Sequence, residues 1–185
     1  FHVLPDVGPV YSVSIIPTGV GAAGYTMPLP EKDEMFLTKG KMLQEIMVDL
    51  GGRIAEELVF DDITTGASQD IRQATAVARN MVTKYGMSDK MGVMVYEEDA
   101  QQSFMGSIGS RSISETTQLE VDREIRRILD GQYKIARDIL ESKKDVAHAM
   151  VKALMEWETI DRDQIRDIME GREPQPPKVY IADNP

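Results

Sequence analysis

The sequence predicts a mainly α fold, an array of about five to six helices with a small β-ribbon near the N-terminus. Two observations predict this class. Apolar residues recur at helical spacing over most of the chain beyond Thr38, whereas a β-branched run stands near the start, at Val10–Ile16. The chain has 185 residues, of which 42% are hydrophobic, so it can bury one sizeable core. We therefore expect one domain.

Composition argues against several classes of function. The formal net charge is −10, and a surface this acidic repels phosphate backbones, so nucleic-acid binding is not expected. The chain has no cysteine, which rules out disulfides and thiolate metal sites. No apolar run approaches the roughly 20 residues that a membrane-spanning helix needs, so we expect the chain to be soluble by itself.

The β-ribbon is predicted from two short segments. Val10–Ile16 is β-branched and partly alternating, which is typical of a strand. The glycine-rich stretch Thr18–Gly24 is predicted as a turn, and Tyr25–Met27 as a short partner strand. Pro28 and Pro30 cannot donate a backbone hydrogen bond, so they confine this partner to an edge of the sheet.

A long helix is predicted from Thr38, a residue type suited to capping a helix N-terminus. Its apolar stripe consists of Met42, Leu43, Ile46, Met47, Leu50, Ile54 and Leu58. Gly51 and Gly52 interrupt this helix, at a cost of about 1 kcal/mol each relative to alanine. Two interpretations stay open: a break between two shorter helices, or a place where another backbone approaches closely.

The next helix is predicted to begin with Ser68 as its N-cap and to end near Tyr85, with Gly86 just beyond. The residues expected on its core face are Ile71, Ala74, Ala78, Met81, Val82 and Tyr85. A short strand is predicted at Val93–Tyr96. The aperiodic stretch Glu97–Arg111 is predicted to be a mobile loop.

Three helices are predicted in the last third of the chain. Ser112–Glu115 has capping-box spacing and opens a long helix that ends at a turn, Ser142–Lys144. The apolar stripe of the following helix consists of Val146, Met150, Ala153, Leu154 and Trp157. Asp161–Gln164 repeats the capping-box spacing for a short last helix ending at Gly171. We assign residues 1–173 to one domain and residues 174–185 to a proline-rich, extended or disordered tail.

The histidines offer little support for catalysis. There are two, His2 and His148, and His148 is interpreted as a surface or boundary residue of a helix. Without cysteine or a G-x-S-x-G motif, a Ser-His-Asp or Cys-His hydrolase has no support. The chain lacks the Walker motif G-x-x-x-x-G-K-[ST], and its G-x-G-x-x-G match at Gly19–Gly24 does not lead into a helix, so nucleotide binding is not predicted.

Three carboxylates are open to a functional interpretation: Asp70, Glu56 and Glu57. Asp70 is expected in the first turn of the second helix, directly after the turn Thr64–Ala67. A carboxylate there commonly only complements the positive end of the helix dipole, worth about 0.3–1 kcal/mol. Glu56 and Glu57 are commonly solvated charges. Physical chemistry alone therefore favours the structural interpretation for all three.

Four motifs resemble those of the FtsH peptidases, a family of membrane-anchored, ATP-dependent zinc metalloproteases. They are VSIIPTG at Val13–Gly19, GGRIAEE at Gly51–Glu57, TTGASQD at Thr64–Asp70 and ARNMVTKYGMSDKMG at Ala78–Gly92. They occur in the family's order, and the resemblance extends to about Gly171. It implies a zinc metalloendopeptidase domain.

The resemblance also implies roles for individual residues. Asp70 matches the family's third zinc ligand, and Glu56 matches the glutamate that supports a zinc-binding histidine from outside the coordination shell. The two histidine ligands and the general-base glutamate belong to an HEAGH motif, an instance of H-E-x-x-H. That motif is expected immediately before Phe1, where the sequence opens in mid-element, and His2 lies beyond it. We therefore expect no catalytic residue in this chain and an incomplete zinc site.

The surroundings of the chain follow from the same resemblance. An ATPase module outside these residues is expected to bind ATP and Mg²⁺, and membrane anchors are expected outside these residues as well. The expected assembly is a homo-hexamer. The expected location is the bacterial inner membrane, with the peptidase domain in the cytoplasm. The implied substrates are misfolded and short-lived membrane and cytoplasmic proteins, which an exposed strand edge would bind in extended form. The alternative is a non-catalytic helical assembly module of a degenerate homologue, without an H-E-x-x-H motif upstream of Phe1.

Overall fold

The computed structural model describes residues 1–17, 24–28, 35–96 and 113–177. The chain divides into two compact units: one comprises Phe1–Glu34 and Glu141–Pro185, the other Met35–Leu140. None of the helices formed by the described residues combines the length and apolar character that a membrane span requires.

The described residues form three strands and five helices. In chain order they are β1 (Val10–Ser14), β2 (Tyr25–Pro28), α1 (Lys39–Phe60), α2 (Ser68–Thr83), α3 (Glu115–Ser142), α4 (Lys144–Trp157), β3 (Thr159–Asp161) and α5 (Arg162–Met169). The predicted class, mainly α with a small β-ribbon near the N-terminus, is confirmed. Strand β3 was not predicted.

The first unit is built on an antiparallel sheet of three strands in the order β2-β1-β3. Val13 in the central strand pairs with Thr26 on one side and Ile160 on the other. The strand ends at Ser14, two residues earlier than predicted. The Ile15 N–H nevertheless donates to the carbonyl of Glu158, the residue directly before β3, at 2.9 Å.

Strand β2 lies at an edge of this sheet, as the prolines predicted, and all four of its residues are exposed. Gly24, the residue directly before β2, lies very close to the backbone of β1. A Cβ atom there would lie 2.2 Å from the carbonyl oxygen of Ser14, so only glycine fits without moving the backbone. The G-x-G-x-x-G match falls largely on residues 18–23, outside the described residues.

The core of the first unit is formed where α4 and α5 meet the sheet. Its buried residues are Val10, Ala153, Ile160, Ile165 and Ile168. Helix α5 begins with the predicted capping box: Asp161 accepts from the Gln164 backbone N–H at 3.0 Å, and the Gln164 side chain accepts from the Asp161 N–H at 2.9 Å.

The start of the predicted tail is anchored to this unit. Residues 172–177 have no regular secondary structure, and the Gln164 side-chain amide donates to the carbonyl of Gln175 at 2.8 Å. Residues 178–185 lie outside the described part of the chain.

In the second unit, α1 and α2 pack against each other. Thr38 caps α1 as predicted, because its hydroxyl accepts from the Lys41 N–H at 3.1 Å. The helix runs unbroken through Gly51 and Gly52, so the interpretation of two shorter helices is wrong. Close backbone approach is not observed among the described residues either. Added Cβ atoms would meet nothing within 4 Å at Gly51 and only an oxygen of the Asp70 side chain, 3.8 Å away, at Gly52.

The boundaries of α2 differ from the prediction. The residue at the N-cap is Ala67, which cannot cap with its side chain, and Ser68 is the first helical residue. The helix ends at Thr83, so Tyr85 lies past it and is 54% exposed. Residues 68–73 are all exposed, so the core face begins at Ala74 and excludes Ile71. Gly86, which was predicted to lie just beyond the helix, has a left-handed backbone conformation with φ +59°, which glycine adopts readily.

The predicted strand at Val93–Tyr96 is wrong. The Tyr96 N–H donates to the Thr83 carbonyl at 2.8 Å, and its hydroxyl to the Met91 carbonyl at 2.7 Å, so this segment folds back onto the end of α2. Val93 is 97% exposed. The loop predicted at Glu97–Arg111 falls outside the described residues.

Helix α3 begins later than predicted. Its first residue is Glu115, and the Ser114 hydroxyl accepts from the Thr117 N–H at 3.2 Å. Glu115 therefore cannot take the third helical position of the predicted capping box, and Ser112 lies outside the described residues. The buried apolar residues of the second unit include Ile46, Leu50, Ile54, Ala74, Ala78, Met81, Val82, Val121, Ile125 and Ile128.

Candidate functional site

Asp70 lies in the first turn of α2, as predicted, and its side chain is exposed. One of its carboxylate oxygens faces α1 at Gly52, 3.8 Å from the position that a Cβ atom would take there. The absence of a side chain at Gly52 leaves the space beside this carboxylate open. Asp70 therefore presents its carboxylate to the surface between two packed helices.

Two further carboxylates of α1 belong to the same acidic surface. Glu45 and Asp49 stand one helical turn apart, and Gly52 and Glu56 continue the same face of the helix. Burial raises the pKa of Asp49 from 3.8 to about 6, with additional repulsion from Asp70 and Glu45. Asp49, Asp70 and Glu45 therefore influence one another electrostatically on this surface.

Glu56 holds the turn that precedes α2. Its two carboxylate oxygens accept from the Thr64 hydroxyl at 2.6 Å and from the Thr64 N–H at 3.0 Å. The Thr64 hydroxyl oxygen in turn accepts from the Gly66 N–H at 3.1 Å. The hydrogen bond from the Thr64 hydroxyl, followed by that from its backbone N–H, lowers the pKa of Glu56.

Glu57 has a different environment. Its carboxylate accepts from the Tyr133 hydroxyl, from Arg53 Nε at 2.7 Å and from Arg137 at 3.4 Å, so it connects α1 to α3. The hydrogen bond from Tyr133, then that from Arg53, lowers the pKa of Glu57. Of the two adjacent glutamates, only Glu56 contacts the turn leading to Asp70.

A complete metal site is not formed by the residues that the structure describes. They contain no group of three or more histidine, cysteine, aspartate or glutamate side chains that could hold a metal ion. His2 is exposed, and His148 is exposed on α4, as predicted for a surface residue. The carboxylate of Asp70 is a suitable oxygen ligand for a zinc ion, but the described residues do not supply the other ligands that zinc requires. No catalytic step is therefore derived through a metal.

Thr64 and Asp49 were not singled out from the sequence. For Asp49 a signal existed, because Glu45, Asp49, Gly52 and Glu56 recur at helical spacing and so form one polar face. For Thr64 there was none beyond its place in the TTGA turn. Its pairing with Glu56 spans eight residues and depends on how the chain returns from the end of α1.

Comparison with known proteins shows that this chain is similar to one family of peptidases. A family model described as peptidase family M41 matches residues 2–168. An ATP-dependent zinc metalloprotease FtsH from Cupriavidus metallidurans is 50% identical over 175 residues, which is 95% of this chain and 27% of that protein. A protein of the same name from Caldicellulosiruptor bescii is 45% identical over 175 residues, 93% of this chain and 28% of that protein.

A third relative, an ATP-dependent zinc metalloprotease FtsH 1 from a Thermoanaerobacter species, is 44% identical over 172 residues, 92% of this chain and 28% of that protein. The chain therefore spans little more than a quarter of the length of these relatives.

Proposed function

The chain belongs to peptidase family M41, and from this premise we propose that it is the peptidase domain of an ATP-dependent zinc metalloendopeptidase. The substrates would be misfolded and short-lived membrane and cytoplasmic proteins. The observation that carries the proposal is the family match over residues 2–168, within which Asp70 presents its carboxylate on an acidic surface between α1 and α2.

Asp70 is proposed as one of three zinc ligands. A zinc ion held there would supply Lewis-acid chemistry for the hydrolysis of a peptide bond. The remaining two ligands would be histidines of an HEAGH motif, and the sequence of this chain contains no H-E-x-x-H. The contribution of the chain is thus to hold one carboxylate in a fixed position, with Glu45 and Asp49 adding negative charge nearby.

Glu56 is proposed to support one of those histidines from outside the coordination shell. Each of its carboxylate oxygens accepts one hydrogen bond from Thr64 and has a second lone pair available. It could therefore also accept the N–H of an imidazole whose other nitrogen binds the metal.

Substrate binding is proposed at the edge of β2 that faces away from β1. All four residues of this strand are exposed, and within the part of the chain that the structure describes it pairs only with β1. An extended peptide could add there by backbone hydrogen bonds, which recognise the main chain and tolerate many sequences. Such recognition suits an enzyme that degrades many different unfolded proteins.

The rest of the proposal concerns the longer protein. Residues 1–173 would form the peptidase domain and residues 174–185 its tail. A separate ATPase module would bind ATP and Mg²⁺, and the assembly would be a homo-hexamer anchored in a bacterial inner membrane with this domain in the cytoplasm. A non-catalytic helical assembly module, a homologue without the H-E-x-x-H motif, is the second candidate.

The test is Asp70→Asn in the full-length parent, assayed for bound zinc and for ATP-dependent hydrolysis of an unfolded protein. A neutral amide is a poor zinc ligand, so we expect zinc content and peptidase activity to be lost while the circular dichroism spectrum is unchanged. The matched control is Asp145→Asn, which removes a first-turn carboxylate from α4 instead. Equal activity and zinc content in all three proteins would reduce Asp70 to a helix-dipole residue. A parent without zinc or activity would favour the non-catalytic module.

A further inference from the structure

Helix α2 carries Asp70 in its first turn but lacks a side-chain cap. The residue at its N-cap, Ala67, forms no capping hydrogen bond, although its small side chain is buried. Helix N-termini without a cap lose about 1 kcal/mol of stability, and their first turns fray most readily. Another contact is needed if the Asp70 carboxylate is to keep a fixed position.

The Thr64 side chain provides such a contact. Its hydroxyl donates to Glu56 at 2.6 Å and accepts from the Gly66 N–H at 3.1 Å, so one oxygen atom ties the turn both to α1 and to itself. The Thr64 backbone N–H adds a second bond to Glu56 at 3.0 Å. These hydrogen bonds, here called the Thr64 clamp, fix the turn at Thr64, four residues before Ser68.

Gly66 lies close to this clamp, in a turn whose residues 64–66 are exposed to solvent. A Cβ atom at Gly66 would lie 3.1 Å from the Thr64 hydroxyl oxygen and 3.5 Å from a carboxylate oxygen of Glu56. Beyond the clamp, the Ser68 N–H donates to the Thr65 carbonyl at 3.1 Å and the Ile71 N–H to the Ala67 carbonyl at 3.0 Å. Hydrogen bonds thus lead without a gap from α1 to the helical turn that contains Asp70.

We propose that Thr64 is a positioning residue of the site: its hydroxyl, held by Glu56, fixes the start of α2 and thereby holds the Asp70 carboxylate in the place where it binds metal. This inference rests on the proposed function. It also gives Glu56 a role that does not require contact with a histidine. The two roles of the Glu56 carboxylate are compatible, because the Thr64 clamp occupies only one lone pair of each of its oxygens.

The test uses Thr64→Val in the full-length parent. Valine keeps the shape of threonine but lacks its hydroxyl, so two of the three hydrogen bonds of the clamp are lost. Zinc affinity, measured by competition with a chelator, is expected to fall by about 10-fold, the lower end of the effect of removing groups that orient ligands. Hydrogen exchange at the Gly66 amide should accelerate, because its acceptor is gone.

Two variants serve as controls. Thr64→Ser keeps the hydroxyl. Its zinc affinity and its rate of hydrogen exchange at the Gly66 amide should therefore match those of the wild type. Thr65→Val makes the same substitution one residue later, where the side chain is exposed and forms no hydrogen bond with the described residues, and it should behave as wild type. Normal zinc affinity in Thr64→Val, or equal losses in Thr64→Val and Thr65→Val, would overturn the inference.

A double-mutant cycle with Glu56→Ala tests whether the two residues act together. If Thr64 works through Glu56, the double variant should lose less zinc affinity than the product of the two single losses. Losses that multiply would contradict the shared role. Failure of the proposed function itself would be seen differently, as a wild-type parent that contains no zinc, whereas failure of the inference alone leaves the parent zinc-loaded and active.

Discussion

At the scale of single residues, Asp49 gives the acidic surface of α1 a measurable dependence on pH. Burial, then repulsion from Asp70 and Glu45, raises its pKa from 3.8 to about 6. Between these values the folded chain binds more protons than the unfolded chain. The free energy of unfolding contributed by Asp49 therefore falls as the pH rises through this window and stays lower above it.

We predict that Asp49→Asn abolishes this contribution. The variant should be more stable than the wild-type chain at neutral pH, and the difference should disappear below about pH 4, where the wild-type carboxyl is also neutral. Urea unfolding of both chains across this range, with a chelator present so that no metal neutralises Asp70, measures the effect. Parallel stability profiles for the two chains would show that Asp49 is solvated and not repelled by its neighbours.

At the scale of secondary-structure elements, a buried carboxylate connects α3 to the segment after α2. Glu124 is fully buried and accepts from the Ser88 hydroxyl at 2.7 Å and from Arg127 at 2.7 and 2.8 Å. The hydrogen bonds from Arg127, supported by that from Ser88, lower the pKa of Glu124 from 4.5 to about 2. Its contribution to stability is present above pH 4.5 and is lost as the pH falls towards 2.

Ser88→Ala should destabilise the chain by about 1–3 kcal/mol, because a buried carboxylate loses one of its donors. Urea unfolding at neutral pH is the measurement. Ser68→Ala is the matched control: Ser68 is exposed, its hydroxyl makes no hydrogen bond with the described residues, and its loss should change stability by less than about 0.5 kcal/mol. Equal stabilities for both variants would mean that Arg127 alone satisfies Glu124.

The elements that could be predicted from sequence are those with local signals. The Thr38 cap of α1 and the capping box of α5 were predicted correctly, because each depends on residues within one helical turn. Strand β3 was missed and Val93–Tyr96 was wrongly predicted as a strand. Strand β3 has only three residues, too few to show a periodic pattern. Whether a short apolar segment becomes a strand depends on a partner far away in the sequence, which for β3 is β1.

In the candidate site, too, the features that depend on neighbouring residues in the sequence could be predicted and the others could not. The position of Asp70 in the first turn of α2 could be predicted, because the turn and the apolar pattern after it are contiguous. The approach of Asp70 to Gly52 and the Thr64 clamp could not, since both depend on how α1 and α2 pack. A glycine pair inside a helix indicated a special position but did not identify the neighbour.

At the scale of the whole molecule, the chain is a family M41 domain that spans little more than a quarter of its relatives. Its first unit joins both ends of the chain, Phe1–Glu34 and Glu141–Pro185, whereas the second, Met35–Leu140, contains α1, α2 and Asp70. The residues proposed to prepare the metal ligand therefore all belong to one compact unit, which makes their cooperation testable by substitution.

The proposed function depends above all on the binding of zinc by Asp70 in the full-length parent. Anomalous diffraction at the zinc absorption edge, from crystals of that protein, locates the metal directly. We expect one zinc ion about 2.0–2.2 Å from a carboxylate oxygen of Asp70, with two histidine nitrogens completing the protein ligands. A zinc ion bound elsewhere, with the Asp70 carboxylate outside its coordination shell, would refute the role proposed for Asp70.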